Sequence, residues 1–123
     1  MDITEQIKKP SYAAKPDFQT GKGDMSKPYL FNCSSCGSPV EISMERQIAN
    51  NWKGKTDEIQ DDDLDQLKEY YSIGLSGKSH EGGFPVFDKI SCSICHKKYI
   101  TYCGVLEHSH SVYSVQVQGV IKI

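Results

Sequence analysis

The rhythm of apolar and polar positions changes along the chain. From Val112 to Ile123, Tyr113, Val115, Val117, Ile121 and Ile123 alternate with Ser114, Gln116, Gln118 and Lys122, interrupted at Gly119. Period two belongs to a strand with one face on a core and the other in solvent, so this segment is predicted as a half-buried antiparallel strand. Val86 to Ile90 and Lys98 to Leu106 predict two more strands, with a turn at Glu107 to Ser111 before the last. Tyr29 to Asn32 and Pro39 to Ile42 predict a short hairpin. Between these strands the period lengthens. Met44, Ile48 and Trp52 recur every four residues behind Ser43, a good N-cap, and predict a short helix ending before Gly54. Leu64, Leu67 and Tyr71 predict a second helix that begins among Asp61, Asp62 and Asp63 and stops before Gly74. Carboxylates at that start suit the positive end of the helix dipole.

The first 28 residues show little periodicity and carry Pro10, Pro16, Pro28, Gly21 and Gly23. They read as an extended or flexible N-terminal arm, with residues 29–123 as one domain. A chain of 123 residues and 13.8 kDa has room for one core, and 37% hydrophobic content with a mean hydropathy of -0.51 makes that core small. No apolar run approaches the roughly 18 residues of a membrane span. Met1 to Lys9 lacks the apolar stretch of a signal peptide. The expected protein is soluble and cytoplasmic.

Of the five cysteines, four form two Cys-x-x-Cys pairs, Cys33/Cys36 and Cys92/Cys95. Two thiolates on one tight turn can face one ion, and a second such turn completes the tetrahedral S4 shell that Zn²⁺ prefers in a closed structural site. Gly37 follows the first pair, where a positive φ lets backbone N–H groups face the sulfurs. His96 stands at the same place after the second. Cys103, in a run of strand-forming residues, reads as a core thiol. The pair His108/His110 reads as polar turn residues, without a third ligand nearby.

The two pairs, with Cys33, Cys36 and Gly37 matching the Cys-x-x-Cys-Gly pattern, resemble the knuckles of a zinc ribbon. That resemblance implies structural Zn²⁺ held by Cys33, Cys36, Cys92 and Cys95, and a local ribbon fold, without implying a particular activity. The 55 residues between Cys36 and Cys92 exceed a minimal ribbon, so residues 43–84 read as a helical and Gly-rich insertion. The expected fold is α+β: a small antiparallel sheet with a zinc-ribbon site and a short helical insertion between the knuckles.

Charge then narrows the function. The net charge is -2 and the pI about 6.0, so no global basic footprint marks a nucleic-acid binder. Residues 41–81 carry five basic and ten acidic side chains, against five and four before them and four and two after. Asp61, Asp62, Asp63 and Asp65 concentrate this charge into a candidate surface for a basic protein partner. Gly77-Lys78-Ser79 resembles the end of a phosphate-binding loop, but the glycine required at position 72 is Ser72. No nucleophile–base order, HExxH run or carboxylate pair marks an enzyme. The leading expectation is a non-catalytic, zinc-stabilised protein-binding module, with the acidic helix and the Gly-rich loop over 74–85 as recognition surface. Its short, acidic outline is that of an immunity protein that inhibits a bacterial toxin. The alternative is a nucleic-acid-associated ribbon using Lys89, Lys97 and Lys98, with Tyr99 and Tyr102 for stacking.

Overall fold

The last strand organises the molecule. In the computed structural model, which describes residues 1–12, 15–21, 27–74 and 77–123, β7 (Val112–Lys122) pairs on one side with β6 (Lys98–Ser109). Its other side takes two short N-terminal strands, β1 (Glu5–Lys8) against its C-terminal half and β2 (Phe18–Gln19) against its N-terminal half. β5 (Phe84–Ser91) pairs with the far side of β6 and forms one edge. All these pairings are antiparallel, giving a five-stranded sheet in the order β1-β7-β6-β5 with β2 also on β7. A separate two-stranded sheet is the hairpin of β3 (Tyr29–Asn32) and β4 (Pro39–Ile42).

The described parts of the first 28 residues, read above as an extended or flexible arm, supply β1 and β2. Neither strand is long enough to show a period, and each takes its ladder from β7. Thr4 and Asp17 also donate their N–H groups to β7 carbonyls, at 2.8 and 2.9 Å. Phe18, 8% exposed, joins the core.

The strict alternation of β7 does not survive. Tyr102 faces Gly119, but Cys103 faces Val117, so Gln118 is an extra residue in a β-bulge. Val115, Val117 and Val120 therefore pack on one face of the sheet, while Ile121 and Ile123 pack on the other. Nor is the strand half exposed, because Ser114, Gln116 and Gln118 are all buried.

Both faces are covered. On the first, Val40, Ile42 and Met44 close over Val86, Tyr99, Cys103 and Val105. On the second, Ile59, Leu67 and Tyr71 close over Phe87, Ile100, Tyr102 and Ile121. The hairpin strand β4 brings Val40 and Ile42, and two helices that lie between the cysteine pairs in sequence bring Met44 and Leu67. α1 (Met44–Ala49) starts at Ser43, whose side chain accepts from the Arg46 N–H at 3.2 Å. It ends earlier than expected. Both the backbone and side-chain N–H of Asn50 bond the Arg46 carbonyl, and Trp52 falls in the following turn, 80% exposed. α2 (Asp61–Tyr70) carries Asp61, Asp62 and Asp63 in its first turn and buries Leu67. Among the described residues no helix is long and apolar enough to cross a membrane.

Candidate metal centre

Two turns built alike bring four sulfurs together. In the first, the Cys33 N–H donates to the Ser38 carbonyl and the Gly37 N–H to the Cys33 carbonyl, both at 2.8 Å. In the second, Cys92 donates to Lys97 at 2.9 Å and His96 to Cys92 at 3.0 Å. Closing either turn requires a left-handed residue at the fifth position. Gly37 supplies it at φ 77° and His96 at φ 63°, so the second turn keeps the same geometry without glycine.

The Sγ atoms of Cys33, Cys36, Cys92 and Cys95 all lie within 4.8 Å of one another. The cross-turn pairs Cys33–Cys95 and Cys36–Cys92 stand at 3.4 and 3.6 Å. These separations are too long for disulfides, and all five cysteines are free. They fall close to the edge, about 3.8 Å, of a sulfur tetrahedron around an ion with metal–sulfur bonds of about 2.3 Å. The four cysteines could therefore hold a metal ion. Cys33 and Cys92 are buried, Cys95 is half-buried and Cys36 is exposed, so the cluster sits at the surface with one side open. Among the described residues it is the one group of three or more His, Cys, Asp and Glu side chains so placed.

Tyr99, a stacking candidate only in the alternative nucleic-acid reading, is a member of this site. Fully buried on β6, it donates its hydroxyl hydrogen to Cys33 Sγ at 3.1 Å and accepts from the Ser34 N–H at 3.0 Å. That hydroxyl is the main cause holding the Cys33 thiol down at about 5. A hydrogen bond from the Ser38 side chain likewise lowers Cys36. At Cys95 the Lys97 backbone N–H favours the thiolate, but burial and the three neighbouring sulfurs outweigh it and push the thiol up to about 11. Four sulfurs this close do not all ionise on their own; a cation removes that conflict.

The remaining sequence candidates are scattered. Cys103 is fully buried in the core, and burial raises its thiol well above the usual range. His108 hydrogen-bonds Ser114 Oγ at 2.9 Å, and His110 is exposed. Asp61, Asp62 and Asp65 are exposed on α2, on the sheet face opposite the cysteines, and Asp63 is half-buried. Part of the acidic run is already paired: Lys53 with Asp57 at 2.7 Å, Lys55 with Asp61 at 3.8 Å and Arg46 with Glu58 at 2.9 Å. Tyr102 is as buried as Tyr99, so neither ring offers a face to a base.

Asp88 was missed altogether. Fully buried on β5, its carboxylate receives Arg46 Nε at 3.0 Å, Gln47 Nε2 at 3.1 Å and Thr56 Oγ1 at 3.0 Å. It fastens α1 and the turn after it to the strand that leads into Cys92. Comparison with known protein families, curated proteins and solved structures returns no match to this chain.

Proposed function

We propose that this protein is a non-catalytic protein-binding module stabilised by one structural Zn²⁺ on Cys33, Cys36, Cys92 and Cys95. The convergence of those four sulfurs from two matching turns carries the reading. An all-thiolate tetrahedral set suits Zn²⁺ or an iron–sulfur centre, and a metal analysis separates the two. Structural zinc supplies folding free energy directly, on the order of 10 kcal/mol or more in zinc-finger peptides. Here the hairpin β3–β4 shares no strand ladder with the five-stranded sheet. A metal shared by the two turns ties the hairpin to the β5–β6 connection, across the residues 43–84 that separate them in sequence. A reducing cytoplasm keeps such thiols available.

For the partner, the reading rests on charge. The exposed start of α2 offers Asp61, Asp62 and Asp65 to a basic protein surface, and an inhibitor of a basic toxin domain is its concrete form. The purified chain is expected to carry one zinc and no iron by elemental analysis, and to lose the hairpin's amide protection when a chelator removes it. A reduced, zinc-free protein that folds fully defeats the metal reading. A partner captured from nuclease-treated lysate is expected to associate more slowly with an Asp61→Lys, Asp62→Lys, Asp65→Lys variant, and with less salt dependence. Capture that disappears with nuclease supports instead a nucleic-acid role for the exposed Lys97 and Lys98.

A further inference from the structure

The sheet face beneath α2 is divided. Under the helix it is apolar, with Phe87, Ile100, Tyr102 and Ile121. Farther along the same face the sheet presents Gly104, Ser114, Gln116 and Gln118, and the last three are polar yet at most 9% exposed. Over this polar half lies a cavity of about 250 Å³, with Glu81, Gly104, Ser114 and Gln116 in its floor and Gln19 and His108 in its wall. The Gly-rich loop and the His108 turn, which the metal centre does not use, meet here.

Glu81 is seated by the absence of a side chain. Its carboxylate occupies the space that a Cβ on Gly104 would need, so it lies flat against β6. One oxygen accepts the Gly83 N–H at 2.7 Å and the other accepts Gln118 Nε2 at 3.3 Å. A carboxylate has about four acceptor positions, so roughly half of its capacity is left for a ligand. Glu81 belongs to none of the described ion pairs, and no lysine or arginine is among the described residues of the cavity wall. A half-buried carboxylate held in place by two donors, facing a polar cavity that no described lysine or arginine lines, is suited to a cation.

We propose that this cavity binds a guanidinium group, with Glu81 as its counter-charge. A guanidinium is planar and presents five donors in a fixed fork, which fits a carboxylate at the floor of a polar cavity lined by Gln19, Ser114 and Gln116. A compact ammonium fills less of such a slot and cannot form parallel bonds to the carboxylate. The volume falls below the roughly 300–1,000 Å³ of drug-sized sites, so the occupant is a small group and not a nucleotide cofactor. The guanidinium belongs either to a free small molecule or to an arginine side chain of a protein. The site goes beyond the proposed function, because it lies on the face opposite the cysteines and needs no metal.

The test uses the full chain as purified, labelled with ¹⁵N and titrated with agmatine, with the peptide Gly-Arg-Gly and with L-lysine. Agmatine or the peptide is expected to shift the Gly83 and Gly104 amides and the Gln118 side-chain amide saturably. Glu81→Gln, which keeps the shape, is expected to weaken binding by about tenfold or more, as for loss of a charge-assisted pair. Agmatine binding alone assigns a free ligand; peptide binding at least as tight assigns an arginine side chain. The proposal fails if neither guanidinium probe shifts these signals, if lysine matches them, or if Glu81→Gln binds equally well. If Glu81→Gln does not fold, the shift map of the unaltered chain decides: shifts confined to Asp61–Asp65 overturn the site.

Discussion

Replacing Asp88 by Ala removes the acceptor of three side chains at once. Arg46 suffers least, since its side chain is 41% exposed and keeps Glu58 at 2.9 Å. Gln47 keeps the Ser43 carbonyl at 3.2 Å, although its Oε1 is buried without a partner. Thr56, 2% exposed, loses its 3.0 Å hydrogen bond to Asp88 and keeps only its contact with Glu58. A buried donor left unmade costs about 1–3 kcal/mol. Breaking a fully buried ion pair from one side costs about 3–5 kcal/mol, and the exposure of Arg46 places this case at the lower end. The expected loss is about 3 kcal/mol, near the lower limit of that range. Asp88→Asn should approach it, because its amide hydrogens face the Gln47 and Arg46 donors. Urea unfolding at a fixed excess of zinc should show the midpoint falling by about 1–3 M at unchanged slope. A loss below about 0.5 kcal/mol, the range of an ordinary surface substitution, refutes the claim that Asp88 anchors α1 to β5.

Removing the Tyr99 hydroxyl by Tyr99→Phe should leave the fold intact while speeding transfer of the proposed zinc to a competing chelator. It should also shift the sulfur-to-metal band of the cobalt-substituted protein; an unmoved band means that the hydroxyl does not act on the bound thiolate. Gly119→Ala places a methyl 2.8 Å from the buried Tyr71 ring, and overpacking of this kind should lower stability by about 1–3 kcal/mol in urea unfolding. Hydrogen bonds from its own backbone N–H and then from Arg46 hold the Glu58 carboxyl down to about 2. The unfolded chain therefore binds this proton first as pH falls, so the contribution is complete above about 4.5 and fades toward 2. Glu58→Gln should flatten that part of the stability–pH curve, modestly because the side chain is 51% exposed, and an unchanged acid limb contradicts the pairing.

What the sequence made legible was local. The Cys-x-x-Cys spacing, the Ser43 cap and the Asp61–Asp63 helix start each act within a few residues, and each appears where the pattern places it. What it concealed depends on partners far along the chain. Tyr99 reaches Cys33 across 66 positions and Gln47 reaches Asp88 across 41, and no period announces either contact. β1 and β2 escaped because strands of four and two residues inherit their conformation from β7. The bulge had a signal: Gly119 interrupts the alternation, and glycine inside a strand often marks an extra residue beside it. Reading the interruption as a mere gap kept Ile121 on the wrong face.

That bulge also bears on how the molecule divides its work. By turning β7 over between Val117 and Val120, it lets one strand line two cores of different character. The first face carries Asp88 and the packing behind Cys33 and Cys92, the contacts that hold α1 and the hairpin to a sheet with which they share no ladder. The second carries the acidic start of α2 and the seat of Glu81 on Gly104. Distant sites without shared partners perturb stability additively. Asp88→Ala and Glu81→Gln should therefore combine within about 0.5 kcal/mol of the sum of their separate effects. Asp88→Ala at a temperature where it stays folded should leave the affinity for agmatine or for the arginine peptide unchanged. Coupling beyond that margin would mean that the two faces communicate through β6, and the separation between scaffold and the proposed recognition surface would have to be given up.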